Sequence, residues 1–226
     1  MRINKLLSNY GYCSRKETNR LIEDNRIIVN GKICTLGQWV EETDDILLDH
    51  QPVQMSEKIY LAFNKPTGIT CTLERTVPDN IIDFIDFDKY IFPVGRLDKA
   101  SEGLILLTND GDLANKILES DNDHEKEYIV TVDKPFDDSF LVGMSEGVEI
   151  CGVQTRQCKI TKVSDMTFNI TLTQGLNKQI RRMTKSFGYT VVKLQRIRIL
   201  NISLDGIKSG TWRSLTSKEL LYLHSL

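Results

Sequence analysis

An α+β chain in two units, residues 1–54 and 55–226, is what the sequence predicts, with a mixed, mainly antiparallel sheet and flanking helices in the larger unit. Three observations predict it. Short runs of β-branched and alternating residues outnumber helical segments, which leaves too few crossover helices for a doubly wound parallel sheet. The first 33 residues carry two short amphipathic helical patterns and then an Asn-Gly hairpin signal. Between this cluster and the first strand of the larger unit, residues near 51 to 57 read as a linker.

In the smaller unit, Leu6 and Leu7 mark the apolar face of a first helix that Gly11 ends. Ser14 and Glu17 form a capping box for a second helix with Leu21 and Ile22 turned inward. Arg15, Lys16 and Arg20 sit in its first two turns and cannot all be buried. Residues 27 to 33 follow as strand, Asn30-Gly31 turn and strand, and an acidic loop with Glu41, Glu42, Asp44 and Asp45 leads into an Ile46-Leu47-Leu48 strand.

The larger unit opens with a strand at Ile59-Tyr60-Leu61-Ala62-Phe63 and a turn at Asn64-Lys65-Pro66-Thr67-Gly68, where Lys65 reads as a surface cation. Residues 74 to 90 alternate apolar and acidic side chains and fit either a helix or irregular cover. Leu104 to Thr108 form a short strand, and Asp112 caps a helix carrying Leu113, Ala114, Ile117 and Leu118. An acidic connection over 119–127 precedes a strand from Lys126 to Val132, with Tyr128 and Val130 on one side and Ile129 and Thr131 on the other. A short helix over 140–147, a hairpin over 148–157 and strands over 159–163 and 166–173 come next. Ile180, Met183 and Phe187 then share one helical face, strands over 191–199 and 202–204 complete the sheet, and Trp212-Arg213 with residues 215 to 226 add a closing strand and helix.

One loop stands out. Gly95-Arg96-Leu97-Asp98-Lys99-Ala100-Ser101-Glu102-Gly103 holds a carboxylate in a glycine-bracketed bend anchored by an aliphatic strand. An aspartate in such a loop is most often a turn or cap residue. Arg96 and Lys99 flank this one, which favours the ionised form a nucleophile needs. A pairing of Arg96 with Asp98 is expected, with Arg96 free to turn to a phosphate.

Composition limits the rest. Hydrophobic and charged contents of 40% and 27% are those of an ordinary globular chain, and no apolar run reaches membrane-spanning length. The start of the chain is polar and amphipathic, unlike a signal peptide, which places the protein in the cytoplasm. Five scattered cysteines without CxxC spacing, and three dispersed histidines, predict neither disulfides nor a metal. Neither GxGxxG nor a P-loop occurs, so no cofactor is expected. The net charge of -2 is unevenly spread: residues 175 to 204 hold seven bases and no acid, and residues 1 to 32 are also basic. Two basic patches on an acidic background suit a polyanion gripped at chosen places.

Gly95-Arg96-Leu97-Asp98, Ser101-Glu102-Gly103-Leu104 and Leu107-Thr108-Asn109-Asp110-Gly111 together resemble the signature of the RsuA/RluB/RluE/RluF group of pseudouridine synthases. The pattern Arg2-Ile3-Asn4-Lys5-Leu6-Leu7, Ser14-Arg15-Lys16-Glu17, Leu21-Ile22 and Val29-Asn30-Gly31-Lys32 resembles an S4 RNA-binding domain. Asn177-Lys178-Gln179-Ile180-Arg181-Arg182-Met183 is similar to a further family motif, with Lys178 replacing an Arg and losing its planar fork. The resemblance implies an S4 domain over 1–54 and a pseudouridine synthase domain over 55–226. It implies Asp98 as nucleophile, Tyr128 against the target base, Leu97 and Ile180 packed at the site, and Arg96 as a further site residue. RNA would be held by Arg2, Lys5, Arg15, Lys16, Arg20, Lys65, Lys178, Arg181 and Arg182.

The implied reaction is uridine-to-pseudouridine isomerisation by a monomer, with 23S ribosomal RNA as the substrate the later motifs favour and a tRNA anticodon loop as a second one. A sister enzyme acting on 16S rRNA or another 23S site, and an S4-type RNA-binding protein without catalysis, are the alternatives. A glycosidic hydrolase would need a second carboxylate, for which Glu102 is nearest.

Overall fold

Ile3, Leu6 and Leu7 fall on one side of a helical repeat, and all three are buried in helix α1 (Ile3–Asn9). The computed structural model describes residues 1–119 and 123–226. Helix α2 (Arg15–Glu23) begins where Ser14 accepts the Glu17 backbone N–H at 3.1 Å, one half of the expected capping box; the Glu17 carboxylate pairs with Arg20 at 3.4 Å instead. The Asn30-Gly31 turn joins β1 (Ile27–Val29) to β2 (Lys32–Ile33); β3 (Ile46–Leu48) and β4 (Gln51–Pro52) complete an antiparallel sheet in the order β2-β1-β3-β4. Leu6, Leu7, Leu21, Ile22, Ile27 and Val29 close a core between this sheet and the two helices.

The second unit is a nine-stranded sheet. Its elements are, in order, β5 (Tyr60–Lys65), α3 (Ile81–Ile85), β6 (Phe92–Val94), β7 (Glu102–Thr108), α4 (Gly111–Leu118), β8 (Lys126–Val132), α5 (Asp138–Ser145), β9 (Glu149–Ile150), β10 (Val153–Gln154), β11 (Lys159–Lys162) and β12 (Thr167–Leu172). There follow α6 (Gln179–Ser186), β13 (Val191–Ile199), β14 (Ile202–Ser203), β15 (Trp212–Ser214) and α7 (Ser217–His224). Strands run β11-β12-β8-β13-β7-β5-β15, with β14 beside β13 and β6 beside β7; β13 and β7 are parallel, the other pairs antiparallel. β9 and β10 form a separate hairpin.

β7 is buried on both faces. Leu104 and Leu106 face α4 and α7, whereas Ile105 and Leu107 face Phe63, Ile81 and Leu97, so the strand's alternation supplies two cores at once. That double burial makes β7 a rigid base for the loop that precedes it.

Two local expectations change. Asp110, not Asp112, caps α4, accepting the Leu113 N–H at 3.2 Å, because Gly111 is already helical. Asp112 turns instead to the smaller unit, meeting Lys5 Nζ at 2.9 Å and Asn9 Nδ2 at 3.2 Å. Residues 74 to 90 resolve into α3, capped by Asn80, amid irregular chain. Part of the acidic connection, 120–122, and with it Asn122, lies outside the described residues.

Candidate active site

Asp98 lies between β6 and β7, after Gly95 at φ 76°, a left-handed conformation that costs glycine little. Backbone groups tie the bend down. Gly68 N–H donates to Lys99 O at 2.8 Å, Ser101 N–H to Asp98 O at 3.0 Å, and Leu97 N–H to the Cys71 thiol at 3.5 Å. Leu97 is buried beneath, which leaves the Asp98 side chain 31% exposed at the mouth of a cleft of about 100 Å³. Arg96, Leu97, Ser101, Tyr128, Gln179 and Ile180 also line that cleft. Asp98 is the only carboxylate among its described lining residues.

The cation beside Asp98 is Arg181. Its Nε stands 3.8 Å from Asp98 Oδ2, while its other nitrogens donate to Ala100 O, Ser101 Oγ and Val191 O, each at 3.1 Å. Sequence reading paired Asp98 with Arg96 and sent Arg181 to RNA. Arg96 is exposed and forms no ion pair with Asp98 among the described residues. Lys99 likewise turns away, to Asp79 at 3.1 Å.

Lys65 also departs from expectation. It is fully buried and donates to Pro66 O at 2.8 Å and Ile69 O at 2.9 Å, so it cannot touch RNA. Burial pushes its ammonium below the usual lysine range, against the pull of Cys71, Asp98 and Glu102. Its work is internal: it closes the 66–69 turn, whose Gly68 holds the Asp98 loop.

One row across the sheet joins these parts. Lys65 on β5 is paired with Gly103 on β7, Gly103 with Arg196 on β13, and Arg196 with Tyr128 on β8. Gly103 is obligatory there, because a Cβ at that position would lie 2.3 Å from Arg196 O. Arg196, which is 4% exposed, donates to Leu104 O at 2.6 Å and sets its guanidinium 6.0 Å from the centre of the Tyr128 ring, fixing the ring's place by a cation–π contact. Among the described residues its Nη2 has no hydrogen-bond partner. Residue order alone gave no sign that Arg196 supports Tyr128.

The remaining expected contacts divide. Lys178, at the start of α6 with φ 50°, is exposed and lines the cleft. Ile180 is buried beside it. Arg182 is held by Cys151 Sγ at 2.7 Å and Asn177 Oδ1 at 3.0 Å. On the smaller unit Arg2, Arg15, Lys16 and Arg20 are exposed, Arg20 within 3.4 Å of Glu17, and Lys5 is committed to Asp112. Glu102 pairs with Lys193 at 3.1 Å and is not among the described residues that line the cleft, so it does not stand there as the second carboxylate of a hydrolase.

A loop-borne carboxylate facing a cleft walled by a tyrosine ring, on a mainly antiparallel sheet joined to a small unit whose second helix exposes Arg15, Lys16 and Arg20, fits an enzyme that works on a nucleic-acid base. The chain belongs to the RNA pseudouridylate synthase family, whose model matches residues 59–186, and an S4 domain matches residues 1–46. It is 51% identical to the dual-specificity RNA pseudouridine synthase RluF of Escherichia coli (strain K12) over 229 residues, covering 100% of this chain and 79% of that protein. An uncharacterised RNA pseudouridine synthase of Aquifex aeolicus is 36% identical over 99% of this chain and 93% of its own length. A crystal structure of a pseudouridylate synthase superposes with a TM-score of 0.72 at 28% identity, covering 99% of both chains. The protein is an RNA pseudouridine synthase with an N-terminal S4 domain and an α+β fold, and its reaction is isomerisation of uridine within RNA. Among the described residues no helix is long and apolar enough to cross a membrane.

Proposed function

We propose that Asp98 is the nucleophile of this synthase and that its substrate is 23S ribosomal RNA, with a tRNA anticodon-loop uridine as a second target. The observation that carries the first part is that, among the described residues, Asp98 alone brings a carboxylate to the cleft, on a loop tethered from the turn after β5, from α6 and by its own backbone. The second part rests on the 51% identity to RluF, which is named for dual specificity.

The target base must leave its stack, at a cost of a few kcal/mol that is smallest in loops and bulges. Exposed cations of α2 and Lys178 hold flanking backbone while Tyr128 receives the ring. Asp98 then acts as a carboxylate by one of two routes. Attacking C1', it displaces the uracil as its N1 anion, the ring turns, and C5 bonds to C1' as the Asp98–C1' bond breaks. Taking the C2' proton, it drives cleavage of the C1'–N1 bond to leave a C1'=C2' double bond, the ring turns, and Asp98 returns the proton to C2' as C5 bonds to C1'. In both the C5 proton departs and N1 is protonated. Arg181 keeps the loop in place and offsets the negative charge, and Arg96 is free to meet a phosphate. Residues 1–54 act as the RNA grip and 55–226 as the catalytic unit, in a cytoplasmic monomer.

The test is tritium release from [5-³H]uridine-labelled RNA. Wild-type protein should release tritium without free uracil, and Asp98→Asn should fold, bind RNA and release none. Turnover by Asp98→Asn removes the residue from the mechanism. Pseudouridine maps of rRNA and tRNA from cells lacking the gene then identify the target, and a map missing no 23S position overturns that assignment.

A further inference from the structure

We propose that a second cleft, walled by both units, seats an unpaired RNA nucleotide beside the target uridine; the inference rests on the functional reading above. The cleft measures about 510 Å³, and Arg96 lines both it and the Asp98 cleft, so the two are neighbours with a shared wall. Arg15 reaches it from α2 of the smaller unit. Its apolar lining includes Leu73, Tyr90, Phe92 and Leu118. Leu73 and Leu118 are 39% and 46% exposed, an unusual way to leave two leucines beside two aromatic rings unless something covers them.

Charge selects the occupant. Among the described residues Arg15 and Arg96 are the charged ones on the lining, no Asp or Glu joins them, and neither forms an ion pair. Asp112, the acid in the first turn of α4, is already taken up by Lys5 and Asn9. An adjoining cleft of about 570 Å³ shares Leu73 and Tyr90 but sets Glu17, Glu74 and Asp88 against Arg20, Arg75 and Lys89, so it has no net pull on an anion. Two unpaired guanidinium groups over an aromatic and aliphatic floor match a nucleotide whose base stacks while its phosphates meet the arginines. Tyr90 and Phe92, with ring centres 5.9 Å apart, supply the platform. A duplex would not fit this chemistry, because its bases are already stacked. The small unit and the Asp98 loop therefore grip one strand at adjoining positions.

Charge insertion at Leu118 tests the site in the full-length protein. Leu118→Glu should raise KM for a 23S rRNA transcript by about two- to fivefold and Leu118→Lys should lower it by a similar factor, the size of one exposed charge contact. A merely structural disturbance moves both variants the same way, and that result, or no change in either, overturns the proposal. Melting temperatures of both variants near wild type show that folding is intact. As an independent readout, a transcript carrying 4-thiouridine should crosslink under ultraviolet light to peptides containing Leu73 or Tyr90; adducts found only elsewhere overturn the site. If wild-type protein makes no pseudouridine in the 23S rRNA transcript, the substrate proposal fails separately, and transcript Kd replaces KM in reading the charge pair.

Discussion

The cations of α2 and those around Asp98 look alike in sequence and have opposite fates. Arg15, Lys16 and Arg20 stay on the surface, whereas Lys65, Arg181 and Arg196 spend their hydrogen bonds on the protein's own carbonyls and hydroxyls. The difference is one of neighbourhood. A helix of nine residues on a small sheet has one buried face and must leave most charged positions in water, while a nine-stranded sheet with helices on it encloses long side chains that then need internal acceptors. Counting bases therefore overstates the RNA grip of the catalytic unit and understates how strongly its active loop is held.

Removing an internal cation should cost more than removing a surface one. Arg181→Ala loses two hydrogen bonds to the Asp98 loop and one to Val191 on β13, and should lower kcat about 100-fold with a smaller change in KM, the scale expected when a reacting group drifts by about 1 Å. Single-turnover rates check it; an equal loss confined to KM would return Arg181 to the RNA surface. Lys65→Met leaves two carbonyls without a donor and should destabilise the fold by about 1–3 kcal/mol in urea titrations. Its kcat should fall about tenfold as the 66–69 turn loosens, less than for Arg181 because Lys65 acts one step further from Asp98.

A second internal pair sharpens the comparison away from the site. Arg213 holds Glu219 through two hydrogen bonds of 2.8 and 2.7 Å, and this holds the Glu219 carboxyl down to about 2 from the ordinary 4.5. Because the folded state has the lower value, the stabilisation is complete above about pH 4.5 and is lost as pH falls toward 2. Glu219→Gln should cost about 1–2 kcal/mol near neutrality, leave kcat unchanged, and converge with wild type at the acid end of a stability–pH profile. The smallest effect belongs to the surface: Lys16→Gln should raise KM by about twofold and reduce the slope of log KM against log salt by about one. A larger loss in kcat would place Lys16 in the catalytic unit's company.

Local structure was legible where short-range rules decide it. The Ser14 cap, the Asn30-Gly31 hairpin, the alternation on β8 and the inward Ile180 and Met183 of α6 appear as the residues predict. The family resemblance of the Gly95–Gly103 loop was equally readable, and the chain belongs to that family. Arg96 as the partner of Asp98 and Lys65 as an RNA contact were not supported. Arg181 lies 83 positions from Asp98 in the chain, and nothing local distinguishes it from Arg182, which bonds Cys151 and Asn177.

By itself the sequence determined the α+β class, the order of the elements and the aspartate at the centre of the loop, because propensity, capping and periodicity act between residues a few positions apart; the S4-like start was readable from its motif resemblance. Only the tertiary structure decided which arginine stands beside Asp98, that Lys65 is interior, and that Arg15 and Arg96 from separate units share a cleft. Those outcomes depend on which strands lie side by side. The row from Lys65 through Gly103 and Arg196 to Tyr128 joins four separate strands whose neighbours no local rule names.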